Sequence, residues 1–138
     1  MQFPRIHADD QGETHIGLLD LPEHEARVGP PPNPLGRMTE TEAVSTFTVF
    51  AAPAGTEVPA HNAPQTYICI VLSGEGEVET SDGTILRLGS GALIYCDDTG
   101  GKGHLTRSIT DLRLAFINRA ETSGRGMPAN PFPTQDAP

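Results

Sequence analysis

Apolar and polar positions alternate along most of this chain, in short runs cut by Gly, Pro and Asp. The clearest run is Glu42 to Ala51, where Val44, Thr46, Thr48 and Phe50 alternate with Ser45, Phe47 and Val49. A period of two with β-branched and aromatic residues predicts a strand. Similar runs follow at Glu57 to Ala60, Gln65 to Ser73, Glu77 to Thr80, Thr84 to Leu88, Ala92 to Cys96, His104 to Ile109 and Leu112 to Asn118. Ser81-Asp82-Gly83 between two of them is a hairpin signal. Towards the N-terminus, His15 to Leu21 reads as a strand, and Phe3 and Ile6 suit a short edge strand. Gly29 to Gly36 carries four prolines and reads as an extended connector, because proline donates no ladder hydrogen bond.

The pattern predicts about nine or ten short strands and no helix, so an all-β sandwich or barrel. Its body spans about residues 42–118, within a single domain covering 1–138, with an N-terminal arm over 1–41 and a tail over 120–138. Met127 and Phe132 are the tail residues able to dock.

Composition narrows the function classes. The 138 residues include 13 prolines and 15 glycines, which fits frequent turns. The net charge of −9, from 18 acidic and nine basic side chains, argues against nucleic acid or an anionic membrane surface as partner. No apolar run approaches the ~20 residues of a membrane helix, and the N-terminus lacks a signal-peptide core, so the expectation is a cytoplasmic protein. Cys69 and Cys96 each sit in an apolar run and are expected to be buried and reduced. The loop Asp97 to Gly103 is rich in glycine, but it lacks the spacing of a phosphate loop and reads as a connection between strands.

Two of the five histidines, His61 and His104, stand at opposite ends of the central stretch, and in one barrel they can meet inside it. Alternation from His61 would send Ala63, Gln65, Tyr67, Cys69 and Val71 inward, and His104, Thr106 and Ser108 would share a face. Two imidazoles, a phenol, an amide and hydroxyls over an apolar floor describe a small-molecule pocket. His7, His15 and His24 read as structural, hydrogen-bonded histidines outside the site, and Cys69 as core packing.

At Gly55, His61, Ala63, Tyr67 and Gly74 the chain resembles the first motif of the cupin superfamily, small barrels built as two-sheet jelly rolls. Gly91, Asp97, Gly101, His104 and Ser108 resemble the second motif, with a loop two residues longer than the family pattern. The resemblance implies a cupin-type double-stranded β-helix and a homodimer, with strands from residues 2–21 adding to a sheet edge or crossing to the other subunit. It also implies that His61 and His104 stand at metal-ligand positions, while Ala63 and Tyr67 replace the family's second His and its Glu. Ala63 is expected to leave a gap in the pocket wall.

Three functions follow as expectations. The first is an enzyme acting on a small organic molecule by acid–base chemistry of His61, Tyr67 and His104, of isomerase, cyclase or epimerase type. The second is a metal-dependent cupin such as an iron dioxygenase. His61 and His104 would hold iron, nickel, manganese or zinc, with Tyr67 as phenolate, Gln65, or a carboxylate such as Asp97 or Asp98 completing the site. The third is a non-catalytic module that binds a small ligand, with Gln65, Thr106 and Ser108 in its pocket.

Overall fold

A computed structural model describes residues 1–120; the expected tail and its Met127 and Phe132 lie outside the described residues. The described residues form twelve strands and no helix. Eight of them build the barrel: β5 (Val44–Ala52), β6 (Glu57–His61), β7 (Tyr67–Ser73), β8 (Gly76–Thr80), β9 (Ile85–Leu88), β10 (Leu93–Cys96), β11 (His104–Ser108) and β12 (Leu112–Arg119). One sheet carries β10-β7-β12-β5 and the facing sheet β6-β11-β8-β9. Successive strands therefore pass from one sheet to the other, except at the β8–β9 hairpin, and the topology is a jelly roll, or double-stranded β-helix.

Two strands precede the barrel and complete it. β1 (Gln2–Ala8) pairs in parallel with β10, and β2 (Thr14–Asp20) pairs antiparallel with β1, which extends the first sheet to six strands. The N-terminal residues thus add to a sheet edge, one of the two expected outcomes, and they are not a loose arm. β3 (Glu23–Ala26) and β4 (Gly36–Thr39) form a separate two-strand ribbon around the proline-rich connector. Their short polar sequences carry no alternation, so the sequence pattern missed them.

Side-chain alternation divides the apolar residues into two clusters. Inside the barrel lie Ile6, Tyr67, Cys69, Val71, Val78, Leu88, Ile94, Cys96, Leu112 and Leu114. On the outer face of the six-stranded sheet lie Leu19, Leu21, Ile68 and Tyr95, with Phe3, Ile70, Leu93 and Ile117 against them. That outer face also carries a buried ionic network. Arg5 Nε donates to Asp97 Oδ2 at 2.7 Å, Arg119 reaches Asp97 and Glu42, and the Arg119 guanidinium lies 5.1 Å from the Tyr95 ring centroid.

The outer rows run on to the sheet edge. Tyr95, Ile68, Ile117 and Phe47 are successive cross-strand partners, as are Leu93, Ile70, Ala115 and Val49. At β5 these rows meet solvent: Phe47 is 67% exposed.

Candidate functional site

The barrel interior opens as a cavity of about 250 Å³. His104 and His61 are directly opposite each other in the β11–β6 pairing, and their ring centroids lie 5.0 Å apart. This meeting depends on glycine. Gly103 has φ +77°, and a Cβ there would sit 2.4 Å from the His61 carbonyl carbon and oxygen. Only a residue without a side chain lets the strand carrying His104 approach the backbone of His61 so closely. The connecting loop is held from the other side by the β1–β2 turn. Lys102 N donates to the Gly12 carbonyl at 2.8 Å, and Thr14 Oγ1 donates to the Gly103 carbonyl at 2.7 Å.

His104 is 3% exposed and Asp98 is fully buried. His104 Nδ1 donates to Asp98 Oδ2 at 2.6 Å. A carboxylate on Nδ1 fixes the ring orientation and leaves the Nε2 lone pair facing the cavity. There Nε2 lies 3.4 Å from the Tyr67 hydroxyl. His61 is more exposed and stands where the cavity meets solvent; its Nδ1 donates to the Pro59 carbonyl at 2.9 Å, which again leaves Nε2 as the acceptor. The site thus holds two imidazoles presenting lone pairs, with a phenol beside one of them.

Burial pushes the Tyr67 phenol far above its ordinary value, with the neighbouring Cys96, Cys69 and Asp98 adding to the effect. Tyr67 therefore keeps its proton and is placed to act as a donor. Burial likewise pushes the Cys69 thiol up to about 12 and the Cys96 thiol well above its usual value. Both stay protonated near neutral pH, so neither is an activated nucleophile.

The remaining expected site residues divide. Thr106 and Ser108 line the cavity with His61, Tyr67 and His104. The Ser108 hydroxyl is committed to the turn before β6, donating to the Pro53 carbonyl at 2.6 Å and accepting from Thr56 N at 2.9 Å. Gln65 does not enter the cavity: its Nε2 donates to the Arg119 carbonyl at 3.0 Å. The expectation failed because β6 ends at His61 and β7 begins at Tyr67, so alternation does not carry across the turn between them. Ala63 leaves no gap, because it is buried in the core with its N–H bonded to the Asp98 carbonyl at 3.0 Å. Phe50, Val58 and Phe116 also line the cavity. Their inward parity was legible, but the sequence held no sign of which strand ends would reach the site.

These residues do not fit a metal centre. A first-row metal held firmly takes three protein ligands. Among the described residues no group of three His, Cys, Asp or Glu is placed to share an ion. Asp98 is turned to the back of His104, and Asp97 is held by Arg5 and Arg119. That leaves two imidazoles and a protonated phenol.

No protein-family model matches the chain, and none of the curated proteins matches it. Solved structures that match are mostly cupin or RmlC-like cupin proteins. One from Methanocaldococcus jannaschii, described as having a double-stranded β-helix fold, shares 16% identity over 78% of this chain and 88% of its own, with a TM-score of 0.49. An RmlC-like cupin from Desulfovibrio desulfuricans shares 26% identity over 59% of this chain and 76% of its own, with a TM-score of 0.45. Ectoine synthase from P. lautus shares 21% identity over 58% of this chain and 57% of its own, with a TM-score of 0.46. Likeness at this level lends the chain no activity.

Proposed function

We propose that this cupin barrel is a small-molecule enzyme working by proton transfer, of isomerase, cyclase or epimerase type. One observation carries the reading: a buried carboxylate holds His104 so that its free nitrogen faces the barrel cavity, with a phenol donor and a second imidazole beside it. His104 Nε2 takes a proton from a substrate carbon next to a carbonyl. The C–H electron pair passes into the carbonyl, and the oxygen that gains charge accepts a hydrogen bond from Tyr67. His104 passes that proton to the adjoining His61 Nε2, and the imidazolium so formed exchanges it with solvent at the mouth and returns one to the substrate, so that both rings end neutral. The sequence of steps needs no oxidant. Buried free thiols at Cys69 and Cys96 suit a reducing compartment, in keeping with a cytoplasmic location.

The test uses an apolar ketone, 2-indanone, in deuterated water. The enzyme should speed loss of its α-hydrogen NMR signal beyond what the same concentration of free imidazole achieves, and His104→Ala should abolish the effect. Binding without faster exchange would leave a ligand-binding module and overturn the catalytic reading.

The partner we propose is a second copy of the chain. Strand β5, Val44–Ala52, has nine residues and no charge, in a chain whose net charge is −9. Phe47, Val49 and Leu72 on the outer face of its sheet are all exposed. They leave on the order of 300 Å² of apolar surface in water, taking ~150–250 Å² for a whole large side chain. That is a fitting apolar centre for one side of a standard interface of ~800 Å². Sedimentation at micromolar concentration should give twice the 14.6 kDa chain mass, and Phe47→Lys should halve it. A wild-type monomer would overturn the pairing.

A further inference from the structure

We infer that the cavity selects an apolar molecule of about ten non-hydrogen atoms with a single oxygen-bearing polar group, and rejects phosphorylated compounds and sugars. The inference rests on the proton-transfer reading for what happens to the polar group, but not for what binds.

Size comes first. A volume of about 250 Å³ holds about eight waters at ~30 Å³ each, or one small ring with its substituents. Polarity comes next. The polar atoms open to a ligand gather in one place, where His61, His104 and Tyr67 adjoin and Thr106 follows two residues along β11. Thr56 and Ser108, the other hydroxyls of the wall, are spent on the turn before β6: Thr56 Oγ1 and Ser108 Oγ both donate to the Pro53 carbonyl. The rest of the wall is hydrocarbon or thiol, with Phe50, Phe116, Leu114, Val78 and Ile94 as examples. A sugar carries a hydroxyl on nearly every carbon. Most of those hydroxyls would be desolvated against this wall without a partner.

Charge decides the other exclusion. No Arg or Lys of the described residues lines the cavity. Arg107, on the same strand as His104, points to the outer surface, where it is held by Glu57, Glu77 and Glu79. Arg5 and Arg119 are held in the network outside the other sheet. A phosphate dianion entering this barrel would meet two imidazoles and no fixed cation, so its lost hydration would go uncompensated.

Calorimetric titration of the full chain with 2-indanone, phenyl phosphate and glucose tests this, with the histidine ring NMR signals reporting location. The expected result is a Kd for 2-indanone at least tenfold below those of the other two, together with movement of the His61 and His104 signals. Equal or tighter binding of phenyl phosphate or glucose at those histidines would overturn the inference. So would 2-indanone binding that leaves both signals unmoved, or no 2-indanone binding at all. Selective binding of 2-indanone without faster α-hydrogen exchange would sink only the catalytic reading.

Discussion

Replacing Gly103 by Ala should damage the site and the fold by two separable amounts. The first is conformational. Gly103 sits at φ +77°, where an L-residue with a Cβ costs about 1–2 kcal/mol. The second is steric. The new Cβ would lie 2.4 Å from the His61 carbonyl carbon and oxygen and 3.0 Å from Asn62 N. Non-bonded carbons settle at roughly 3.5–4.0 Å, so the two strands must part by about 1 Å. The obstacle is backbone on both sides, and no flexible side-chain end can swing away. Parting the strands also strains the Asn62 Nδ2 bond to the Gly101 carbonyl, now 2.8 Å, and the Ala63 N–H bond to the Asp98 carbonyl. With one such bond weakened at about 1 kcal/mol, the total loss is about 3 kcal/mol, or a fall in Tm of about 10 °C for a domain of this size. Gly83→Ala is the control. Its φ is +88°, but nothing lies within 4 Å of the added Cβ, so only the conformational cost of about 1–2 kcal/mol applies. Urea denaturation of both variants measures the difference, and ring NMR signals of His61 and His104 report whether the pair has separated. If Gly103→Ala were no less stable than Gly83→Ala, with the histidine signals unchanged, the close approach would not be what brings the two imidazoles together.

Asp98→Ala should leave the buried His104 Nδ1 without its acceptor, at a cost of about 1–3 kcal/mol seen in a melting curve; an unchanged Tm would mean that the pair does not hold the ring. Stability should also follow His15, which is raised above its ordinary value by its hydrogen bond to Asp9 and then by that to Asp82. A raised folded value means that this contribution is full below about pH 6.5 and fades as pH rises through the folded value. Asp82 acts with the opposite sign: burial works upward, but bonds from Thr80, Thr84 and His15 hold it at about 2, so its contribution is lost as pH falls towards that value. His15→Gln should flatten the fall in urea midpoint between about pH 6 and 9; parallel curves for the two proteins would refute the link. Finally, Cys69 and Cys96 should resist iodoacetamide at pH 8 in the native protein and react readily in urea, because burial keeps both protonated. Native labelling at the unfolded rate would show that the thiols are open.

The barrel was legible because its strands alternate and are cut by unmistakable turns. Every barrel strand from β5 to β12 falls on a run visible in the pattern, and the Ser81-Asp82-Gly83 hairpin joins β8 to β9 as its residues predict. The site was legible in part. The spacing of both motifs identified His61 and His104, and the barrel brings them face to face. Asp98 appeared in the sequence only as a stray carboxylate that could reach a metal. Its place behind His104 depends on the path of a glycine-rich loop, and no periodicity encodes that path. Gln65 and Ala63 were misplaced for a related reason. A period of two says which way a side chain points only while the strand lasts, and the strand stops at His61. The hairpin β3–β4 was missed because its polar residues are held in register by ladder hydrogen bonds and by the ion pair from Arg37 Nε to Glu23 Oε1 at 2.7 Å, neither of which leaves an apolar alternation in the sequence.

The clasp between the β1–β2 turn and the loop before His104 has a consequence for the order of folding. Thr14 is bound to Ser81 across 67 positions of sequence and to Gly103 across 89. During synthesis the first hairpin must wait, with Ile6 and Leu19 exposed, until the parallel partner β10 and the loop beyond it have left the ribosome. Closing so long a loop is slow and opposes early collapse. The two-histidine pocket is therefore assembled among the last parts of the domain, and a nascent chain halted before residue 104 lacks β11 and β12, the strands that join β6 to β8 and β5 to β7.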